Sequence, residues 1–358
     1  MCEITFLLHG IDTLQCAYYL HAKNECAIDF LQLAQIREEL KNSKSKSPAA
    51  IDLAGRSFLL RSHDSGSGYH FILENEDFKI EMGEFNNPNF FVTFKSQALW
   101  RESAWLLHEK FLKLAASLGL TPHHQESISL ADFAFDYHIP QIDFDEDHFK
   151  SRSAKDMKVR ENGKPQTFSF GKKDIVLRVY DKIAEIIQQS AKVWFFLLWG
   201  CEQDVWRIEW QVRKTILKRF GIRTFDDLEA LQGDLLRYLA TEHDTLRTPS
   251  NDSNSSRWPL HPLWIDLQER ISNLQNQGVH RVIGRPAALE ERLQRITTSV
   301  HGYLKQAEAI RHILYGSEIS APVETLAFLK PKLRLLYEPL EWESEVEKRI
   351  KNIEGGEW

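Results

Sequence analysis

Three short segments of this 358-residue chain gather their ionisable groups on alternate positions. Side chains alternate sides along an extended strand, so residues two apart share a face. In ADFAFDY, residues 131–137, Phe133, Phe135 and Tyr137 take one face, and Asp132 and Asp136 flank Ala134 on the other. In IVLRVYDK, residues 175–182, Ile175, Leu177 and Val179 oppose Arg178, Tyr180 and Lys182. In VWRIEWQVR, residues 205–213, Trp206, Ile208, Trp210 and Val212 oppose Arg207, Glu209, Gln211 and Arg213.

If the three strands are neighbours, their polar faces gather Asp132, Asp136 and Glu209 beside a phenol and several cations. Carboxylate oxygens suit Mg²⁺ or Mn²⁺, which polarise a phosphodiester and offset the charge that develops during its cleavage. Tyr180 is then the nucleophile, attacking phosphorus to leave a phosphotyrosine and a free 3′ hydroxyl. A phenol with an ordinary pKa of about 10 needs help to ionise. Arg178, Lys182 and Arg207 are placed to give it, or to hold the phosphate. The competing reading is a half-exposed antiparallel sheet whose outer face carries ordinary cross-strand charge pairs.

Other chemistries lack their residues. There is no Gly-rich phosphate loop, HExxH, GxSxG or kinase set. His123 and His124 are adjacent on an expected loop, where they would point apart, and no His-hydrophobic-His pair occurs, so a metal site must rest mainly on carboxylates.

The segments ADFAFD, FGKKDIVLRVYDKIAE and VWRIEWQVR, in that order, resemble the Rep-trans family of rolling-circle replication initiators and related relaxases. Weaker likeness lies in NFFVTFKSQALW and RWPLHPLW, and the resemblance spans roughly residues 85–265. It implies metal-dependent nicking and rejoining of one DNA strand, with Tyr180 as nucleophile, Asp132, Asp136 and Glu209 around the metal, and Lys182 and Glu185 completing the middle motif. Glu185 then caps the following helix, pairs with Lys182 or supports the site from behind. Lys172, Lys173 and Arg213 are further expected DNA contacts. The implied partners are origin DNA, single-stranded or in a hairpin, and a host helicase. Initiators of this kind act as oligomers, so a homodimer is also implied, with the carboxy-terminal helices either supplying an interface or packing internally. An amino-terminal helix-turn-helix is not evident, which favours an initiator over a conjugative relaxase. A noncatalytic DNA-binding replication-control protein is the reading from another class.

To position these groups the chain must supply a sheet. Strands are expected at 3–8, 57–60, 69–73, 78–82, 90–94, 128–137, 175–182 and 205–212. Helices are expected at 27–42, at 97–118 with Ser96 as N-cap, at 225–241 and, with less definite ends, at 183–199. This mixture predicts an α+β fold on a largely antiparallel sheet, packed by helices. The predicted organisation is an α+β nicking domain at 1–245, a polar linker at 246–258 and an α-helical region at 259–358, with helices at 264–277, 287–315 and 341–352. Trp194, Trp199, Trp206 and Trp210 could stack on unpaired bases, but they read rather as core, because Trp206 and Trp210 share an apolar face.

Composition sets the outer bounds. A 42% hydrophobic chain with four cysteines and no CxxC pair reads as a soluble protein with reduced thiols, and the start MCEITFLLHG lacks the look of a secretory leader. A cytoplasmic location without membrane insertion is expected. The net charge of −6 opposes DNA binding in general, but residues 150–182 carry ten Lys or Arg against four Asp or Glu. That run predicts either a local basic surface or a solvated loop.

Overall fold

The computed structural model describes residues 4–22, 26–43, 48–153, 156–161, 164–274, 285–335 and 337–355. Glu3 and residues 275–277 of the expected elements lie outside these. The described strands are β1 (Thr5–Tyr18), β2 (Leu20–Ala22), β3 (Ala49–Leu53), β4 (Arg56–Leu60), β5 (Phe71–Glu74), β6 (Phe78–Met82), β7 (Phe90–Phe94) and β8 (Leu120–Pro122). They continue with β9 (Ser127–His138), β10 (Phe149–Ser151), β11 (Asp156–Glu161), β12 (Lys164–Phe170), β13 (Ile175–Asp181), β14 (Val205–Arg213) and β15 (Asp244–Leu246). The helices are α1 (Phe30–Asn42), α2 (Ser96–Arg101), α3 (Ala104–Ser117), α4 (Lys182–Glu185), α5 (Trp194–Trp199), α6 (Lys214–Arg219), α7 (Phe225–Tyr238) and α8 (Pro262–Ser272). Beyond these come α9 (Arg285–Tyr315), α10 (Pro322–Leu335) and α11 (Pro339–Gly355).

Eleven described strands form one antiparallel sheet in the order β11-β12-β13-β14-β9-β1-β7-β6-β5-β4-β3. The fold is α+β, as the alternation of strands and helices predicts. The three motif strands are direct neighbours, β13-β14-β9, inside the sheet between the β11-β12 hairpin and β1. Their apolar faces join a core that includes Phe135, Leu177, Ile208 and the fully buried Trp210, against which Trp264 of α8 packs at 5.7 Å between ring centroids. Both indoles are satisfied: Trp210 donates to Asp244 (2.9 Å) and Trp264 to the Ala240 carbonyl (2.8 Å).

The opposite, polar face of these strands is roofed rather than open to water. Phe195 and Trp199 of α5, with Ile186 and Val205, make a second small apolar cluster beside Trp100. Alternation along a strand therefore marks two covered faces, one apolar and one ionic, which excludes the ordinary solvent-facing sheet.

Two glycines permit this arrangement. Gly171 turns β12 into β13 at φ +97°, and a Cβ there would lie 2.2 Å from the Ile175 carbonyl oxygen. Gly10 of β1 lets the Trp100 ring lie against the sheet, where a Cβ would approach it to 3.0 Å.

Several boundaries differ from the sequence reading. The expected helix 97–118 is two helices, α2 and α3, the second capped by Ser103, which accepts from the Leu106 amide at 3.1 Å. The basic run is neither bare loop nor helix but contains the hairpin β11-β12. His123 and His124 do not point apart: their ring centroids are 4.6 Å from one another.

The chain divides into compact units at Met1–Val282 and Ile283–Trp358, not at residues 246–258. The expected linker is tied back by the bridge of Arg247 to Leu260 and by Thr248, whose amide donates to the Pro259 carbonyl. Leu263, Trp264, Leu267 and Ile271 of α8 are fully buried in the first unit's core. The second unit contains α9, α10 and α11, of which α10 was not legible in the sequence.

Candidate active site

Register sets the site. Tyr180 of β13 lies opposite Arg207 of β14, which lies opposite Asp136 of β9. One step along, Arg178 faces Glu209, and beyond it Gln211 faces Asp132. The Tyr180 hydroxyl donates to Glu209 Oε2 at 3.0 Å, while Arg178 Nη1 donates to Glu209 Oε1 at 3.0 Å. Glu209 thus joins the phenol to a cation.

Strand β13 stops where Asp181 accepts a hydrogen bond from the Ala184 amide at 3.0 Å and caps α4. Lys182, expected as the strand's last polar residue, begins that helix instead. Its Nζ is 3.5 Å from the Tyr180 oxygen and 2.6 Å from Glu185 Oε2. Of the roles open to Glu185, pairing with Lys182 is the one the structure displays.

Arg207 is fully buried and forms a fork onto Asp136, at 2.6 Å from Nε and 2.8 Å from Nη2. Its Nη1 donates to Asp12 at 2.7 Å, and Phe195 lies over the guanidinium at 4.5 Å. A buried cation is tolerable only when paired this completely. Arg207 was expected to assist the tyrosine or hold a phosphate directly; these bonds and its burial instead make it a positioning residue.

Sequence reading missed Asp12, Lys192 and the roof. Asp12 sits at a register shift of β1 between Ile11 and Thr13, and such a bulge re-aims a side chain. Its Oδ1 accepts from Arg207, from Ser96 at 2.9 Å and from Trp100 at 3.0 Å, and its Oδ2 from Lys192 at 3.0 Å. The only signal in the sequence was an aspartate inside an apolar stretch. Trp199, buried as the core reading expects, donates to Asp136 at 2.9 Å and helps to hold the site.

The electrostatics follow from burial. Burial and then Glu209 push the Tyr180 phenol well above its usual value, while burial and Arg207 bring Lys182 down. Burial, reinforced by Glu209, pushes the Asp132 carboxyl up to about 7. Burial alone would also raise Asp12, but Arg207, Lys192 and Lys182 together hold it well below the usual carboxylate range.

A divalent cation fits part of the expected carboxylate set. Asp132 Oδ1 is a buried oxygen without a hydrogen-bond partner, and Glu209 is the next carboxylate to it electrostatically. Mg²⁺ commonly binds through one or two carboxylates and keeps waters or substrate oxygens for its remaining positions. Asp136 and Glu209 offer no free oxygen: Arg207 and Trp199 occupy those of Asp136, and Tyr180 and Arg178 those of Glu209. Among the described residues no group of three His, Cys, Asp or Glu is gathered as a metal-holding cluster.

Lys172 and Lys173 are exposed in the β12-β13 turn, and Arg213 is exposed at the end of β14 beside it, its amide donating to the Asp174 carbonyl at 2.9 Å. The six residue steps from Arg207 to Arg213 span about 20 Å at the usual strand rise. These three cations therefore gather with each other, at the far end of the strands from Tyr180.

The fold and the site together define an α+β chain with a buried tyrosine, carboxylate and cation cluster on interior strands of its sheet. No family model matches the chain, and no curated protein matches it. Among solved structures it is similar to a rolling circle replication initiator protein from Geobacillus stearothermophilus, at 18% identity and a TM-score of 0.45, over 77% of this chain and 99% of that one. A likeness of that size assigns no function, and the functional reading rests on the site's own residues. No described helix is long and apolar enough to cross a membrane.

Proposed function

We propose that this protein nicks and rejoins one strand of DNA through a phosphotyrosine at Tyr180, to initiate replication of a mobile element. The observation that carries this reading is the hydrogen bond from Tyr180 to Glu209, with Lys182 Nζ 3.5 Å from the same phenol oxygen. A proton acceptor and a cation on one phenol are what an oxygen nucleophile needs.

In the proposed step Glu209 takes the phenol proton as the Tyr180 oxygen bonds to phosphorus. The bond from phosphorus to the 3′ oxygen breaks, and that oxygen leaves with a proton from solvent as a free 3′ hydroxyl. One phosphodiester is exchanged for another, so the reverse attack by the 3′ hydroxyl rejoins the strand. Lys182 offsets phenolate charge, and Arg207 keeps β13, β14 and β9 in register beneath it. Mg²⁺ or Mn²⁺ held at Asp132, whose Oδ1 has no partner, would, when bound, polarise the phosphodiester.

The burial of Tyr180, only 7% exposed, favours a second reading: a DNA-binding protein that keeps the sheet and performs no chemistry. The two separate on a denaturing gel of the protein incubated with labelled single-stranded fragments of its own DNA, with Mg²⁺ or with chelator. The nicking reading expects a covalent adduct that chelator abolishes. DNA that is bound and left intact would establish the noncatalytic reading.

A further inference from the structure

Four described cations are tied to Tyr180 directly, by register or through shared carboxylates, and they differ in access. The side chains of Arg207 and Lys182 are sealed, at 0% and 2% exposure, whereas Arg178 and Lys192 present 36% and 26% of theirs. Arg178 gives Nη1 to Glu209, the residue that also receives the Tyr180 proton. Lys192 is the other accessible cation, and it comes from the roof rather than the sheet.

Resting on the reading of Tyr180 as nucleophile, we propose that Lys192 receives the scissile phosphate, exchanging the Asp12 carboxylate for a phosphate oxygen. The bonding of Asp12 makes the exchange inexpensive. Its Oδ1 holds Arg207, Ser96 and Trp100, while Lys192 sits alone on Oδ2 in the bonding described, so the carboxylate keeps three donors when the lysine leaves.

The backbone allows the same movement. Lys192 follows Ala191, which is left-handed at φ 53°, and precedes α5, which ends at the left-handed Gly200 with φ 67°. The turn before Ala191, residues Ile186–Ser190, is a π-helix, a form that recurs at functional sites. A short helix between two such joints can shift as a unit. Phe195 moves with it, and Phe195 lies over both Lys182 and Arg207 at 5.5 Å and 4.5 Å. Phosphate binding by Lys192 would thereby couple to uncovering Tyr180.

The test uses the full chain and a fluorescent single-stranded oligonucleotide from the protein's own DNA. In a Tyr180→Phe background, affinity is measured over a salt series for Lys192 as found, for Lys192→Met and for Lys192→Arg. Loss of one phosphate contact to a single strand makes the slope of log K against log salt shallower by about 0.7, and arginine restores it. With Tyr180 present, the adduct-forming rate at saturating DNA falls about 100-fold in Lys192→Met, the scale seen when one charge-stabilising donor is removed. Lys192→Gln, which retains a neutral bond to Asp12, replaces the methionine variant if thermal melts show the roof disturbed.

An unchanged salt slope overturns the proposal. A shallower slope with an unchanged saturating rate also overturns it, because Lys192 would then touch a neighbouring phosphate. Absence of any adduct with Lys192 intact contradicts the nucleophile instead, and the binding series still decides whether Lys192 meets a phosphate.

Discussion

At the residue scale the site is a set of charges that are tolerable only together. Removing Asp136 by Asp136→Ala leaves the fully buried Arg207 with Asp12 alone as a carboxylate partner. A stranded buried charge costs about 3–5 kcal/mol, so the urea midpoint should fall accordingly. Asp132 has the opposite character. Its folded pKa is about 7 against an ordinary 3.8, so between those values the unfolded chain has lost a proton that the folded chain keeps. Stability should therefore fall as pH rises from about 4 to about 7, by up to a few kcal/mol, and level off above. In chelator, urea titrations across this range should show the decline, and Asp132→Asn should flatten it. Mg²⁺ should restore stability above pH 7 in the unmodified protein and do nothing for the asparagine variant, since a ligand carboxylate must be ionised.

These residues were unequally legible. Tyr180, Glu209 and Asp132 could be read because strand alternation alone places them on the ionic face. Asp12 could not, because its orientation depends on a bulge, nor Lys192, whose bond to Asp12 links positions 180 residues apart. Arg207 and Asp136 were found, but not the bonds that tie them to each other and to the roof. Composition shows that an arginine and a carboxylate share a face but not that a roof of aromatic rings seals them from substrate.

At the scale of elements, β6 and β7 run over the residues expected of them, since short alternating runs between turn residues allow little else. β1 extends to Tyr18, past the expected end at residue 8, and its later half keeps an alternation of buried and half-buried residues from Asp12 to Cys16 that the sequence reading passed over. The break between α2 and α3 was hidden for the converse reason: helical apolar spacing runs through it, and only the Ser103 cap reveals it. The roof over Tyr180 rests on a cluster separate from the main core, so it should open by itself. Phe195→Ala should speed amide exchange across residues 186–200 while β9, β13 and β14 stay protected. Ala191→Gly should be neutral or stabilising by up to about 1 kcal/mol in thermal melts, since glycine adopts the left-handed conformation without a Cβ penalty.

At the scale of the whole molecule, net charge said little about the site. The −6 total conceals a basic hairpin turn and a cluster of paired charges under the roof. The unit boundary was misplaced for a related reason: a polar stretch of Ser and Asn reads as a linker, although the helix after it completes the core. A chain ending at residue 282 should unfold cooperatively with its core intact. One ending at residue 258 loses Trp264, which packs against Trp210, and should give no cooperative melt by circular dichroism.

The central claim is that the Tyr180 oxygen becomes bonded to DNA, and the most direct measurement is mass spectrometry of the protein after incubation with single-stranded DNA from its own element and Mg²⁺. Nuclease trimming and proteolysis should yield a peptide containing Tyr180 that is heavier by a nucleotide phosphate and is absent from chelator-treated and Tyr180→Phe samples. A nucleotide carried on any other residue, or an adduct that survives Tyr180→Phe, would contradict the account.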